Sequence, residues 1–91
     1  MFTKGQKKGT VWFSVKPPDS AKKVDLAGDF TGWQLTPMRR QKDGQYACAV
    51  PLKPGTYEYK FVLDGQWCVD PDNNSYALNP YGTLNSVATV A

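Results

Sequence analysis

A tryptophan beside a tight turn is the residue of this sequence best suited to bind a ligand. Asp64-Gly65 is a dipeptide typical of two-residue type I′ hairpins, and it separates an alternating strand from Trp67. In such a hairpin Val62 pairs with Trp67, so both side chains lie on one face of the sheet, together with Lys60. Phe61 belongs to the opposite, strongly apolar face. The full predicted register is Leu63 with Gln66, Val62 with Trp67, and Phe61 with Cys68.

An exposed indole beside polar donors has the chemistry that a sugar requires. The C–H faces of a pyranose stack on aromatic rings, and its hydroxyls need amide, ammonium or hydroxyl partners. The segment after Trp67 supplies such partners at Asn73, Asn74, Asn79, Thr83 and Asn85. The alternative interpretation is that Trp67 covers the sheet edge or packs under this asparagine-rich segment.

Several other chemistries have no support in the sequence. The chain has no histidine, and Cys48 and Cys68 lack the spacing of a zinc site. They could form one disulfide in an exported protein, but because no export signal is visible we expect two buried free thiols. No nucleotide-binding or hydrolase motif occurs. We therefore expect neither an enzyme nor a bound cofactor or metal.

The charge distribution argues against a nucleic-acid partner. Lys4, Lys7 and Lys8 account for the whole net charge of +3, so residues 9–91 are neutral and offer no spare basic face. Residues 1–8 are predicted to be a basic flexible tail, and 9–91 a single domain. No apolar run approaches the ~20 residues that span a bilayer, and no export signal is visible, so we expect a cytoplasmic protein without a membrane partner.

Short alternating runs separated by turn signals fill the chain, and no segment keeps a helical period. About seven strands are predicted, with a polar loop over 70–84 between the last two. This pattern favours an all-β, antiparallel, immunoglobulin-like sandwich, with a small β-barrel as the alternative. The predicted strands are 10–16, 23–27, 36–41, 46–52, 56–63, 66–69 and 85–90.

Three segments in order resemble the signatures of family 48 carbohydrate-binding modules. Residues 24–33, VDLAGDFTGW, resemble V-x-L-x-G-[DS]-F-N-x-W; residues 59–67, YKFVLDGQW, resemble Y-K-F-x-V-D-G-x-W; residues 81–85, YGTLN, resemble L-G-T-V-N. The family includes the glycogen-binding domain of the AMP-activated protein kinase β subunit and the N-terminal modules of isoamylases and branching enzymes. Its fold is an early-set immunoglobulin-like sandwich, which agrees with the strand pattern.

The resemblance implies a set of carbohydrate-binding residues. Trp33 and Trp67 correspond to the two tryptophans of the sugar platform, and Lys60, Thr83 and Asn85 to side chains that bond sugar hydroxyls. Tyr81 stands where the family has an apolar loop residue that reaches into the curve of the glucan. Its larger side chain either stacks on a sugar or folds inward over the core. Thr31 replaces the usual asparagine, a change expected to alter only a turn.

The function that the resemblance implies is non-catalytic binding of α-1,4-linked glucan, such as glycogen, starch or a maltooligosaccharide. No cofactor or metal is implied. The alternative is a protein-interaction module that docks onto a partner enzyme domain and in which sugar binding is weak or lost. Retention of Trp33, Trp67 and Lys60 argues against that loss.

Overall fold

A computed structural model describes all 91 residues as strands and turns without an α-helix. No helix is available that could cross a membrane. One 3₁₀ turn, Asp29–Thr31, follows the third of ten strands. The strands are β1 Phe2–Lys4, β2 Thr10–Val15, β3 Val24–Gly28, β4 Thr36–Pro37, β5 Arg39–Arg40, β6 Tyr46–Pro51, β7 Gly55–Leu63, β8 Gln66–Cys68, β9 Tyr76–Leu78 and β10 Leu84–Val90.

The strands form two antiparallel sheets that enclose one core, as an immunoglobulin-like sandwich requires. The first sheet has the order β1-β2-β6-β5. The second has the order β4-β3-β7-β10-β9, and β8 also pairs with β7. The predicted all-β sandwich is confirmed, and the barrel alternative is not needed.

Aromatic rings from both sheets meet in the core. Phe13 of β2 and Tyr59 of β7 are fully buried, with ring centroids 5.0 Å apart in an edge-to-face arrangement. The Tyr59 hydroxyl donates to the buried Asp70 carboxylate at 2.6 Å, and burial together with this bond raises the pKa of Tyr59 well above its usual range. Asp70 Oδ1 also accepts from the Asp72 backbone at 2.9 Å, which fixes the start of the loop after β8.

Strand β7 connects the core to the opposite face of its sheet. Its alternation buries Tyr59 and Phe61 inside, whereas Glu58 and Lys60 lie on the outer face. One side of β7 pairs with β3. The other side pairs with β10 along 55–59 and then with β8 along 61–63, so Lys60 lies where β10 gives way to β8.

The prediction of a flexible tail over residues 1–8 is wrong for Phe2–Lys4. This segment forms β1 and pairs with β2, and Phe2 packs against the rings of Phe13 and Tyr59 at centroid distances of 6.4 and 6.3 Å. The lysines favoured a solvated segment, but the pairing with β2, the bond from the Met1 amine to the Ser14 carbonyl and the packing of Phe2 hold it on the sheet.

Other strands differ from the prediction because they depend on pairing with a neighbouring strand and not on alternation in their own sequence. The predicted strand 36–41 is split, because β4 pairs with β3 while β5 pairs with β6 in the other sheet. Met38 lies between the two strands and inserts into the core. Strand β9 falls inside the predicted polar loop, where Tyr76–Leu78 pairs with β10. A three-residue strand shows too little alternation to be recognised.

The two cysteines lie on different sheets and are free thiols. Cys48 belongs to β6 and Cys68 to β8. Burial raises the pKa of Cys48 to about 11, so this thiol stays protonated and unreactive near neutral pH.

Candidate carbohydrate-binding site

The hairpin that carries Trp67 has the register predicted from its turn. Val62 pairs with Trp67 across β7 and β8, and both turn residues, Asp64 and Gly65, have positive φ angles of 50° and 84°. These angles are those of a type I′ turn. Trp67 is 49% exposed, while Val62 beside it is only 1% exposed. The indole therefore covers Val62 with one side and presents the other to solvent.

Asp64 also fastens this hairpin to the segment that precedes β3. Its Oδ1 accepts backbone N–H groups of Lys22 at 2.9 Å and Lys23 at 2.8 Å. These two bonds, that of Lys23 being the stronger influence, lower the pKa of Asp64. The turn is thus held by a charged acceptor, which limits how far Trp67 can move with it.

Trp33 is held in a backbone conformation that bulky residues rarely adopt. It follows Gly32, and the two residues have φ angles of 62° and 63°, in the left-handed region. The preceding turn is closed by Thr31, whose hydroxyl bonds both the N–H and the C=O of Gly28. The Trp33 N–H donates to the Gly28 carbonyl at 3.0 Å. Thr31 thus serves the turn, as expected from its place in the motif.

The Trp33 indole is oriented by Asp29. Its Nε1 donates to Asp29 Oδ1 at 3.1 Å, and Asp29 Oδ2 accepts the Glu58 backbone N–H at 2.8 Å. The carboxylate therefore connects the indole directly to β7. The rings of Trp33 and Trp67 lie side by side, with centroids 6.4 Å apart and planes inclined by 37°. Together they form a bent aromatic surface.

Hydrogen-bond donors surround this surface. Lys60 Nζ lies 3.2 Å from Thr83 Oγ1, and both side chains reach solvent. Asn85 is 6% exposed, and its amide is already engaged, donating to Glu58 Oε1 at 3.0 Å and accepting from Asn79 Nδ2 at 3.1 Å. Of the predicted polar residues, Lys60 and Thr83 are available to a ligand, whereas Asn85 retains only limited capacity for it.

Tyr81 stands in the loop between β9 and β10 with 91% of its surface exposed. The alternative that it folds over the core is therefore wrong. Pro80 and Gly82, which has a φ of 81°, flank it and restrict the loop on both sides. Its ring is free to contact a ligand that lies on the tryptophans.

All six predicted residues line one concavity of about 740 Å³, a size within the range of small-molecule sites. Its lining includes the two tryptophans and the loop that carries Tyr81. The chain has no cluster of three His, Cys, Asp or Glu side chains that could hold a metal ion. The six residues are Trp33, Lys60, Trp67, Tyr81, Thr83 and Asn85.

Comparison with known proteins identifies the family. Residues 13–91 match the family described as the glycogen recognition site of AMP-activated protein kinase. The chain belongs to this glycogen-recognition family. The match includes both tryptophans and the whole concavity.

The relatives that match this chain are longer proteins, and the match covers only a part of each. The chain is 44% identical over 59 residues to Protein PTST homolog 2, chloroplastic, of Arabidopsis thaliana. The aligned segment covers 64% of this chain and 11% of that protein. It is 33% identical over 69 residues to the 5'-AMP-activated protein kinase subunit beta-1 of Homo sapiens, which covers 76% of the chain and 25% of that subunit. The chain thus spans a quarter or less of these relatives.

A solved enzyme structure contains a similar fold. The crystal structure of the maltogenic amylase from S. marinus superposes with a TM-score of 0.75 at 26% identity, covering 90% of this chain and 13% of the amylase. The sandwich thus occurs both in a kinase-subunit family and as a small part of an amylase.

The concavity also contains residues that were not predicted as part of the site. These are Asp29, Glu58, Leu78 and Pro80, and Asn79, which was expected only as one of several possible sugar partners, lines it as well. Glu58 could have been found, because it lies two residues before Lys60 and therefore on the same outer face of β7. Asp29 acts through side-chain bonds within an irregular segment, for which a single sequence carries no periodic signal. The bonds that Asn79 makes within the protein carry no such signal either.

Proposed function

We propose that this chain is a non-catalytic module that binds α-1,4-linked glucan in the concavity, with residues 9–91 and the added edge strand β1 acting as one binding domain. The observation that carries the proposal is the bent surface of Trp33 and Trp67, whose rings are 6.4 Å apart and inclined by 37°. Successive sugar rings of a curved α-glucan change their orientation and can stack on both indoles. A flat β-1,4-linked chain would match only one of them.

Polar groups around the surface would bond the sugar hydroxyls. Lys60 offers the N–H groups that Thr83 does not occupy, and Thr83 offers its hydroxyl. Tyr81 would close over the chain from the loop side, and Asn85 would contribute its remaining N–H. Because the site is open and shallow, we expect affinities in the micromolar to millimolar range.

Membership of the glycogen-recognition family supports this function, as do relatives that include a kinase subunit and an amylase. Because the chain spans only a small part of these proteins, we propose that it works attached to, or beside, a partner enzyme domain. The expectation of a cytoplasmic location stays a prediction, since the Arabidopsis relative is named as chloroplastic.

Affinity electrophoresis tests the proposal. Native gels cast with glycogen, amylopectin or cellulose should retard the protein in the first two cases only. Calorimetric titration with maltoheptaose and with a cello-oligosaccharide of similar length should give the same preference. Equal retardation by cellulose would contradict the platform argument. Absence of retardation by every glucan would favour the protein-interaction alternative.

A further inference from the structure

Asn79 has a bonding pattern that separates it from the other residues of the concavity. Its Oδ1 accepts the backbone N–H groups of Tyr81 at 3.0 Å and Thr83 at 3.1 Å. Its Nδ2 donates to Thr83 Oγ1 at 2.6 Å and to Asn85 Oδ1 at 3.1 Å. An asparagine amide has two acceptor sites and two N–H donors, so all four positions are used within the protein.

We propose that Asn79 is a positioning residue of the glucan site, which fixes the loop that carries Tyr81 and makes the Thr83 hydroxyl a hydrogen-bond donor toward the sugar. This inference rests on the proposed function. Asn79 would not need to touch the ligand itself, since its amide has no free bonding capacity. Its effect would reach the ligand through Tyr81 and Thr83.

The donor role follows from the two bonds that Thr83 Oγ1 receives. Asn79 Nδ2 and Lys60 Nζ both donate to this oxygen, at 2.6 and 3.2 Å, and a hydroxyl has two lone pairs and one hydrogen. With both lone pairs occupied, the hydrogen of Thr83 is directed away from both donors. Its partner on the ligand must be an oxygen that accepts, either a ring oxygen, a glycosidic oxygen or a hydroxyl lone pair.

The Asn79→Asp variant separates the two tasks of the side chain. The carboxylate keeps an oxygen for the Tyr81 and Thr83 backbone N–H groups, so the loop should hold its shape. It has no N–H for Thr83 Oγ1, and the Thr83 hydroxyl would turn to donate to the carboxylate instead of to the sugar. We expect the Kd for maltoheptaose to rise about tenfold, because a hydrogen bond to the ligand is lost. A Kd within about twofold of the parent value would overturn the inference.

A double-mutant cycle with Thr83→Val tests whether the effect passes through Thr83. In the valine background the hydroxyl is absent, so Asn79→Asp should change the Kd by no more than about twofold. Equal effects in both backgrounds would show that Asn79 does not act through Thr83. Gln6→Glu is the matched control, because it makes the same amide-to-carboxylate change at an exposed position outside the concavity, and it should leave the Kd unchanged.

A measurement without sugar keeps loop positioning apart from glucan binding. Asn79→Ala removes the acceptor for the Tyr81 and Thr83 amides, and their solvent-exchange rates by NMR should rise several-fold, whereas Asn79→Asp should leave them near the parent rates. Unchanged exchange in the alanine variant would refute the positioning role. A parent protein that binds no maltoheptaose would refute the proposed function, even if these exchange rates follow the expectation.

Discussion

Replacing Trp67 with alanine is expected to weaken maltoheptaose binding about tenfold or more while the sandwich remains folded. A tryptophan side chain buries up to about 250 Å² when fully covered. Since 49% of Trp67 is exposed, roughly 120 Å² is left for a ligand to cover. A sugar on one ring face covers roughly half of that area, and at about 25 cal/mol per Å² this contributes ~1.5 kcal/mol, a tenfold change in Kd.

The stability cost of the same change is separate from the binding cost. The covered side of Trp67 shields Val62, which is 1% exposed, so truncation should lower the free energy of unfolding by about 1–2 kcal/mol and Tm by roughly 5–15 °C. Far-UV circular dichroism should be unchanged below the new Tm. Calorimetric titration and thermal melts therefore measure two independent effects of one substitution.

Trp12→Ala provides the matched control. Trp12 is 37% exposed, but it lies on β2 in the other sheet and does not line the concavity. Its truncation should lower Tm by a similar amount and leave the Kd unchanged. A change in Kd of less than about twofold for Trp67→Ala would refute the stacking role of Trp67, and so would a loss of binding in Trp12→Ala as large as that in Trp67→Ala.

Three further changes test other parts of the site and fold. Lys60→Ala should raise the Kd by about three- to tenfold, and Lys60→Arg should also weaken binding because its planar fork displaces the donor from Thr83; unchanged titrations would make Lys60 a mere solvated strand residue. Tyr81→Leu should lower affinity for long maltodextrins by about threefold with an unchanged Tm, because Tyr81 is exposed; a lowered Tm with unchanged affinity would exclude it from the site. The Lys23 and Lys22 backbone N–H groups hold the pKa of Asp64 in the folded protein below its value in the unfolded chain. The stability that Asp64 contributes is therefore present above the pKa of the unfolded state and is lost as the pH falls through the pKa of the folded state. Thermal melts should therefore show Tm falling on acidification, with a shallower loss for Asp64→Asn, and identical acid slopes would refute this role of Asp64.

The half of the site built on β7 and β8 could be predicted from the sequence because local rules determine it. The Asp64-Gly65 dipeptide specifies the turn, the turn specifies the register, and the register directs Trp67 to the face of Lys60. Each step depends on neighbours within a few residues. The structure agrees with every pair of this hairpin.

The other half of the site does not follow from local patterns. Trp33 could be assigned only from the family motif, since its positive φ runs against the ordinary preference of a bulky residue. Asp29 was missed, and Asn79 was predicted to bond a sugar rather than its own loop, because their roles depend on partners brought together by the fold, such as the Glu58 backbone. Strand β9, which leads into the loop that carries Tyr81, has three residues and depends on pairing with β10 for its order.

One connected series of hydrogen bonds joins the aromatic surface of Trp33 and Trp67 to the polar groups that surround it. It runs from the Trp33 indole through Asp29 to Glu58, and onward through the Asn85 amide to the Asn79 side chain. From Asn79 it continues to the Thr83 hydroxyl and then to the Lys60 ammonium group, both of which line the concavity.

These connected hydrogen bonds explain how a strained residue, Trp33, can form part of a shallow site. The left-handed conformation of Trp33 costs about 1–2 kcal/mol, which the fold must offset with the Asp29 bond and the closed turn before it. Because the indole and the polar groups are already ordered, a glucan need not immobilise them on binding, and less of its weak contact energy is lost to conformational entropy. A shallow surface can therefore bind a flexible sugar chain, since the ordering of Trp33 and the Asn79 loop is completed when the protein folds.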